Sequence, residues 1–144
     1  MAHQDKGKFF EKHPKQTMVD EQLKQAILKQ VKDNNIACKA AEKISLAHHT
    51  PMSEVGVAID MQNANIVQCQ LGLFGYDGKS KRVEAAPQVT PDMEAAIRQA
   101  LVDGRLPCVS AWALAQGLGV KRMEICAACE KLKIKVKPCQ LGAF

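Results

Sequence analysis

Cys69-Gln70-Leu71-Gly72-Leu73-Phe74 and Cys139-Gln140-Leu141-Gly142-Ala143-Phe144 are one hexapeptide with a single substitution, set 70 positions apart. Self-similarity at a fixed spacing outranks any local signal, because a missed duplication misassigns the whole architecture. Working back from the hexapeptide, residues 22–74 recur at 92–144 without a gap. Ala26-Ile27 matches Ala96-Ile97, Asp33 matches Asp103, Cys38 matches Cys108, Ala41 matches Ala111, Glu54 matches Glu124 and Ala58 matches Ala128. Conservative pairs such as Ile44 with Leu114, Val55 with Ile125 and Ile66 with Val136 fall where periodicity predicts burial, so the copies share a core plan.

Each copy opens with apolar residues at helical spacing: Leu23, Ala26, Ile27 and Val31 in the first, and Met93, Ala96, Ile97, Ala100 and Leu101 in the second. Thr90-Pro91 supplies a capping side chain before a proline suited to a first turn, while Asp33-Asn34 and Asp103-Gly104 supply stop signals. Short extended pieces follow, Ile36-Ala37-Cys38 and Leu106-Pro107-Cys108. Second helices are predicted over about 39–47 and 109–117, third helices over about 52–63 and 121–132, and β-rich segments from about 65 and 134. In Lys133-Ile134-Lys135-Val136-Lys137 charged and apolar residues alternate strictly, as in a half-buried strand.

This order of helix, short strand, helix, turn, helix and strand resembles the winged helix-turn-helix superfamily, and at closer range small tandem-repeat bacterial regulators. The second copy carries the likeness best, in Ala115-Gln116-Gly117-Leu118-Gly119-Val120-Lys121-Arg122-Met123-Glu124-Ile125. Ala115 is small enough for two helices to approach, Gly119 suits the positive φ of a tight turn, and Ile125 returns the third helix to the core. The first copy has Ser45 and His49 at the Ala115 and Gly119 positions, so its turn is expected to be shaped differently. The resemblance implies a mainly helical α+β protein of two tandem winged helix-turn-helix repeats. The expected organisation is a flexible basic arm over 1–19, a degenerate repeat over 20–76, a basic linker or wing over 77–90, and a second repeat over 91–144.

In such a module the third helix enters the major groove, which would turn Lys121, Arg122, Cys126, Ala127 and Glu130 outward. Lys131, Lys133, Lys135 and Lys137 extend the basic stripe, and segment 121–137 holds six Lys or Arg against Glu124 and Glu130. It reads either as a phosphate-contacting surface or as a solvated face. Lys79, Lys81 and Arg82 follow a predicted Asp77-Gly78 turn, which reads as a wing or as part of a linker. The matching helix of the first copy presents Pro51, Met52, Ser53, Gly56, Val57 and Asp60, and no Lys or Arg occurs from Ile44 to Gly78. Without a base that face lacks the main electrostatic term for DNA. Pro51, Met52 and Val57 suit a protein contact instead, with a partner or by self-association.

Composition sets the outer limits. The chain has 144 residues, 47% hydrophobic and 24% charged, with a formal charge of +5, which fits a polyanion partner without requiring one. The start lacks the apolar stretch of a signal peptide and no segment reaches a membrane span, so a cytoplasmic protein is expected. Six cysteines in a reducing compartment read as thiols or ligands and not as a disulfide framework. Cys38, Cys69, Cys108 and Cys139 repeat in register and read either as small buried groups or as weak metal candidates. Cys126-Ala127-Ala128-Cys129 lies on a helix with no second such pair, a weak zinc signal, and His48-His49 fits a turn. No phosphate loop, dinucleotide fingerprint or nucleophile elbow is present, so the sequence reads as a non-enzyme without a cofactor. Double-stranded DNA is the leading partner. The alternatives are an assembly factor that docks through its winged helices, and a thiol or metal sensor.

Overall fold

The computed structural model describes residues 20–77 and 80–144. The arm expected over 1–19, and Gly78 and Lys79 of the expected wing, lie outside the described residues. Among those described, six helices and one two-stranded parallel sheet form a mainly helical α+β structure: α1 (Glu21–Gln30), β1 (Asn35–Ala37), α2 (Cys38–Ala47), α3 (Met52–Met61), β2 (Asn65–Val67), α4 (Pro91–Gln99), α5 (Cys108–Leu118) and α6 (Arg122–Leu132). No helix among them is long and apolar enough to cross a membrane. The chain forms two compact units. Unit 1 runs to Cys69 and includes Leu141–Ala143, and unit 2 comprises Gln70–Gln140 and Phe144.

In unit 1 the Asp20 side chain accepts from the Gln22 amide and caps α1. Leu23 and Ile27 bury one side of α1 among Ala41 and Ile44 of α2 and Val55, Ala58 and Ile59 of α3. Lys32 and Asn35 exchange backbone hydrogen bonds of 2.8 Å across Asp33 and Asn34, whose φ angles are 52° and 66°. Two left-handed residues between bridged partners make a type I′ turn, so this pair reverses the chain as well as ending the helix. β1 and β2 pair in register Asn35↔Asn65, Ile36↔Ile66 and Ala37↔Val67. A parallel pair needs a long crossover, which α2 and α3 supply.

Unit 2 repeats the plan. Thr90 caps α4 by accepting from the Met93 amide at 3.2 Å, with Pro91 in the first turn. Val102 and Arg105 bridge across Asp103 and Gly104, with φ angles of 53° and 77°. α4 packs on α5 and α5 on α6 around Ile97, Ala111, Ala115 and Ile125. Leu106 pairs with Val136 in parallel, the counterpart of Ile36↔Ile66. The strand expected over 133–137 is an extended segment with this one bridge, yet its alternation holds: Ile134 and Val136 are buried while Lys133, Lys135 and Lys137 are exposed.

The interhelical turns correct one expectation. Gly119 takes φ 69° after α5, but His49 takes φ 50° at the same place. Thr50 N donates to Ser45 O and Val120 N to Ala115 O, both at 3.0 Å. The two turns therefore share one backbone path. Ser45 Oγ also donates to the Thr50 carbonyl, a bond Ala115 cannot make, and it helps hold a non-glycine residue in the left-handed region.

Candidate nucleic-acid interface

α6 ends where Lys133 turns left-handed at φ 59°, its amide donating to the carbonyls of Cys129 and Glu130. The chain then leaves extended. Leu106 N donates to Lys135 O and Lys137 N to Leu106 O, both at 2.9 Å, which fixes which side of the segment faces the core. Ile134 and Val136 turn in, so Lys133, Lys135 and Lys137 turn out at every second position, about 6.6 Å apart along the strand. Lys131, in the last turn of α6, is exposed beside them, and Lys121 is exposed at the start of the helix. No Asp or Glu occurs after Glu130. Lys131, Lys133, Lys135 and Lys137 thus form an exposed basic stretch with no acid between them in the sequence.

The outward face of α6 is occupied by its own unit. Arg122 lies 3.7 Å from the centre of the Trp112 ring and donates to Gln70 Oε1 at 2.9 Å. Gly72, at φ 79°, comes so close that an added Cβ would stand 3.0 Å from both Met123 Cε and Val83 N. Ala86 N donates to the Ala127 carbonyl, and Glu130 is ion-paired with Lys81. Cys126, expected to face outward, is fully buried, on the side of the helix where Gln70, Gly72, Val83 and Ala86 make these contacts. Arg122, Met123, Ala127 and Glu130 are thus engaged within their own unit, whereas Lys121 is exposed.

Of the bases near the expected wing, Lys81 is held by Glu130, and the Arg82 guanidinium stacks 4.4 Å from the Tyr76 ring centre. Tyr76 and Ser80 form a single antiparallel bridge. Lys79 lies outside the described residues.

On α3 of unit 1, Pro51 is exposed at the N-cap and Met52 and Val57 are half-buried. Gly56 and Asp60, expected outward with them, are buried. A Cβ on Gly56 would meet the Leu141 carbonyl oxygen at 2.1 Å, so the main chain of Leu141 lies directly on the helix. The third helix of each unit thus buries some of the positions expected outward, Gly56 and Asp60 in α3 and Cys126 in α6, while Pro51, Ser53 and Lys121 stay exposed.

The hexapeptide supplies these covers. Gly72 and Gly142 both take left-handed φ, 79° and 81°, and turn Leu71 and Leu141 inward to full burial. Phe74 and Phe144 meet edge to face, with ring centres 5.8 Å apart. The likeness of this segment between the two copies has a packing cause. Cys38 and Cys108 are buried as the first residues of α2 and α5, Cys69 is buried and Cys139 half-buried. Gln140 Nε2 donates to Cys108 Sγ at 3.7 Å. Burial pushes the Cys129 thiol up to about 11, with the neighbouring Glu130 carboxylate adding to the effect, so it stays protonated and unreactive at neutral pH. Among the described residues no group of three or more His, Cys, Asp or Glu side chains gathers in metal-binding geometry.

Unit 1 also holds a feature that the sequence reading does not foresee: a groove between α1 and α2 that carries Lys29, Lys39 and Lys43. A signal for it exists, since Lys39 and Lys43 are four residues apart on one helix. The winged-helix resemblance places DNA reading on the third helix and gives these lysines no role.

No protein-family model matches the chain, and searches of curated proteins and of solved structures returned no match.

Proposed function

We propose that this protein binds double-stranded DNA through its phosphates, as a regulator or chromosome-associated protein built on tandem winged-helix repeats. The observation that carries the reading is the row Lys131, Lys133, Lys135 and Lys137, exposed side by side with no acid beyond Glu130, with Lys121 as a further cation at the start of α6. A lysine row of fixed spacing neutralises phosphates without reading bases, and each neutralised phosphate releases condensed counterions. The winged-helix reading is supported by the repeated order of helix, strand and two helices and by the paired left-handed turns at His49 and Gly119. The cover over α6 argues for backbone contact and against base readout through that face.

Replacing Lys133, Lys135 and Lys137 together by Ala is expected to weaken duplex binding about equally across sequences. It should also lower the slope of log affinity against log salt by about 3, at roughly 0.9 for each phosphate no longer neutralised. An unchanged slope would remove the assignment.

A second reading, an assembly factor, is favoured by α5. Leu106–Val120 contains no charged residue, and Val109 and Leu118 are 58% and 43% exposed. Wild-type protein with no salt-sensitive retention of DNA would favour this reading over the first.

A further inference from the structure

We infer that unit 1 contacts the phosphates of bound DNA through the open groove between α1 and α2, and not through its third helix; this inference rests on the DNA-binding reading above. The groove has a volume of about 860 Å³. Lys29 stands on its α1 side, Lys39 and Lys43 on its α2 side, and Gln25 and Gln68 add amides. Lys39 and Lys43 lie one helical turn apart and so share a face. All three lysines are exposed, and none takes part in the ion pairs found among the described residues, Lys81 with Glu130 and Arg98 with Glu94. Among the described residues of the lining the only carboxylate is Glu21, whose Oε1 accepts from Gln25 Nε2 at 3.1 Å.

Three like charges around one depression repel one another and concentrate counter-anions there. The shape of the groove selects among anions. It follows the ten residues of α1, a run of about 15 Å, and so suits a chain of phosphates better than a single small ion. The amides of Gln25 and Gln68 can donate to phosphate oxygens between the lysines. The feature belongs to the first copy alone, because the positions matching Lys29, Lys39 and Lys43 are Gln99, Val109 and Ala113. It also supplies the positive charge that α3 lacks.

The test uses the full chain with Lys29, Lys39 and Lys43 changed together to Gln, and separately Glu21→Gln, each checked for unchanged thermal unfolding. Duplex binding is measured across a salt series beside the Lys133, Lys135 and Lys137 variant. The groove variant is expected to lose at least about tenfold in affinity and about 2 to 3 in salt slope, while Glu21→Gln binds more tightly. Tightening is a result that structural damage would not produce. If the groove variant binds as wild type does while the Lys133, Lys135 and Lys137 variant is impaired, the groove inference falls and the DNA-binding reading stands. If the wild type retains no duplex, both fall. Saturable binding of inorganic triphosphate at the groove, with duplex affinity unmoved by the lysine changes, makes it a small-anion site and overturns the inference.

Discussion

Gly56 occupies the place that Cys126 holds in the second copy, and the difference is one of space. Glycine inside a helix costs about 1 kcal/mol against alanine, so by propensity alone Gly56→Ala should stabilise the protein. The Leu141 carbonyl oxygen stands 2.1 Å from where the new Cβ would go. It is main chain and cannot swing aside as the end of a long side chain can. Overpacking of this kind costs about 1–3 kcal/mol, and less the propensity gain the expected net result is a loss of up to about 2 kcal/mol by denaturant unfolding. A gain in stability would mean that Leu141 does not rest on α3. At this scale the sequence was legible where chemistry is local. Thr90 caps its helix, Gly119 takes positive φ, and Ile27, Ile97 and Ile125 are fully buried. It was not legible at His49, because a left-handed non-glycine residue is held by hydrogen bonds around it and not by its own preference.

At the scale of elements, α6 has its helical period and its apolar positions where the sequence put them, but its outward residues are used inside unit 2. Arg122 is the clearest case. Its guanidinium covers the face of the only tryptophan, Trp112, whose buried Nε1 has no hydrogen-bond partner among the described residues. The stacked cation offsets part of the cost of that unsatisfied N–H. Arg122→Ala is therefore expected to cost about 1–2 kcal/mol of stability and to shift tryptophan emission to the red as water reaches the indole. Arg122→Lys should recover little of either, since an ammonium cannot reproduce a planar stack together with the bond to Gln70. Duplex affinity should change far less than on loss of Lys133. An Arg122→Ala variant with unaltered emission and strongly weakened DNA binding would return this residue to the interface. The sequence could not reveal the cover, because periodicity reports which side of a helix faces its own core, and the residues that close the other side, among them Gln70, Gly72, Val83 and Ala86, are separated from α6 by the whole of α4 and α5. The lysine row was legible, since alternation in a strand requires only the neighbouring residues.

Over the whole molecule, the two copies place their charge on different elements. The first carries lysines on α1 and α2 and has no base on α3, whereas the second has an uncharged α5 and carries its lysines at the two ends of α6 and beyond. The tails add a second departure from simple tandem repetition: the end of the second copy, Leu141–Ala143, belongs to unit 1, and Gln70–Phe74 of the first copy belongs to unit 2. Both tail leucines are buried, Leu71 at 0% and Leu141 at 3% exposure, so each fills part of a core that a cut between repeats would leave open. Truncating a buried leucine to alanine costs about 2–5 kcal/mol, depending on how far the site collapses. Because the tails are exchanged, the damage should be crossed. Leu141→Ala is expected to speed amide hydrogen exchange first in α1, α2 and α3, although residue 141 comes from the second copy. Leu71→Ala should speed it first in α4, α5 and α6. Local exchange reports the stability of the element that holds each amide, so the two patterns are separable in one experiment on the full chain. If each substitution instead loosened the helices of its own copy, the exchanged tails would be excluded, and with them the account given above of why CQLG is the most alike segment of the two repeats.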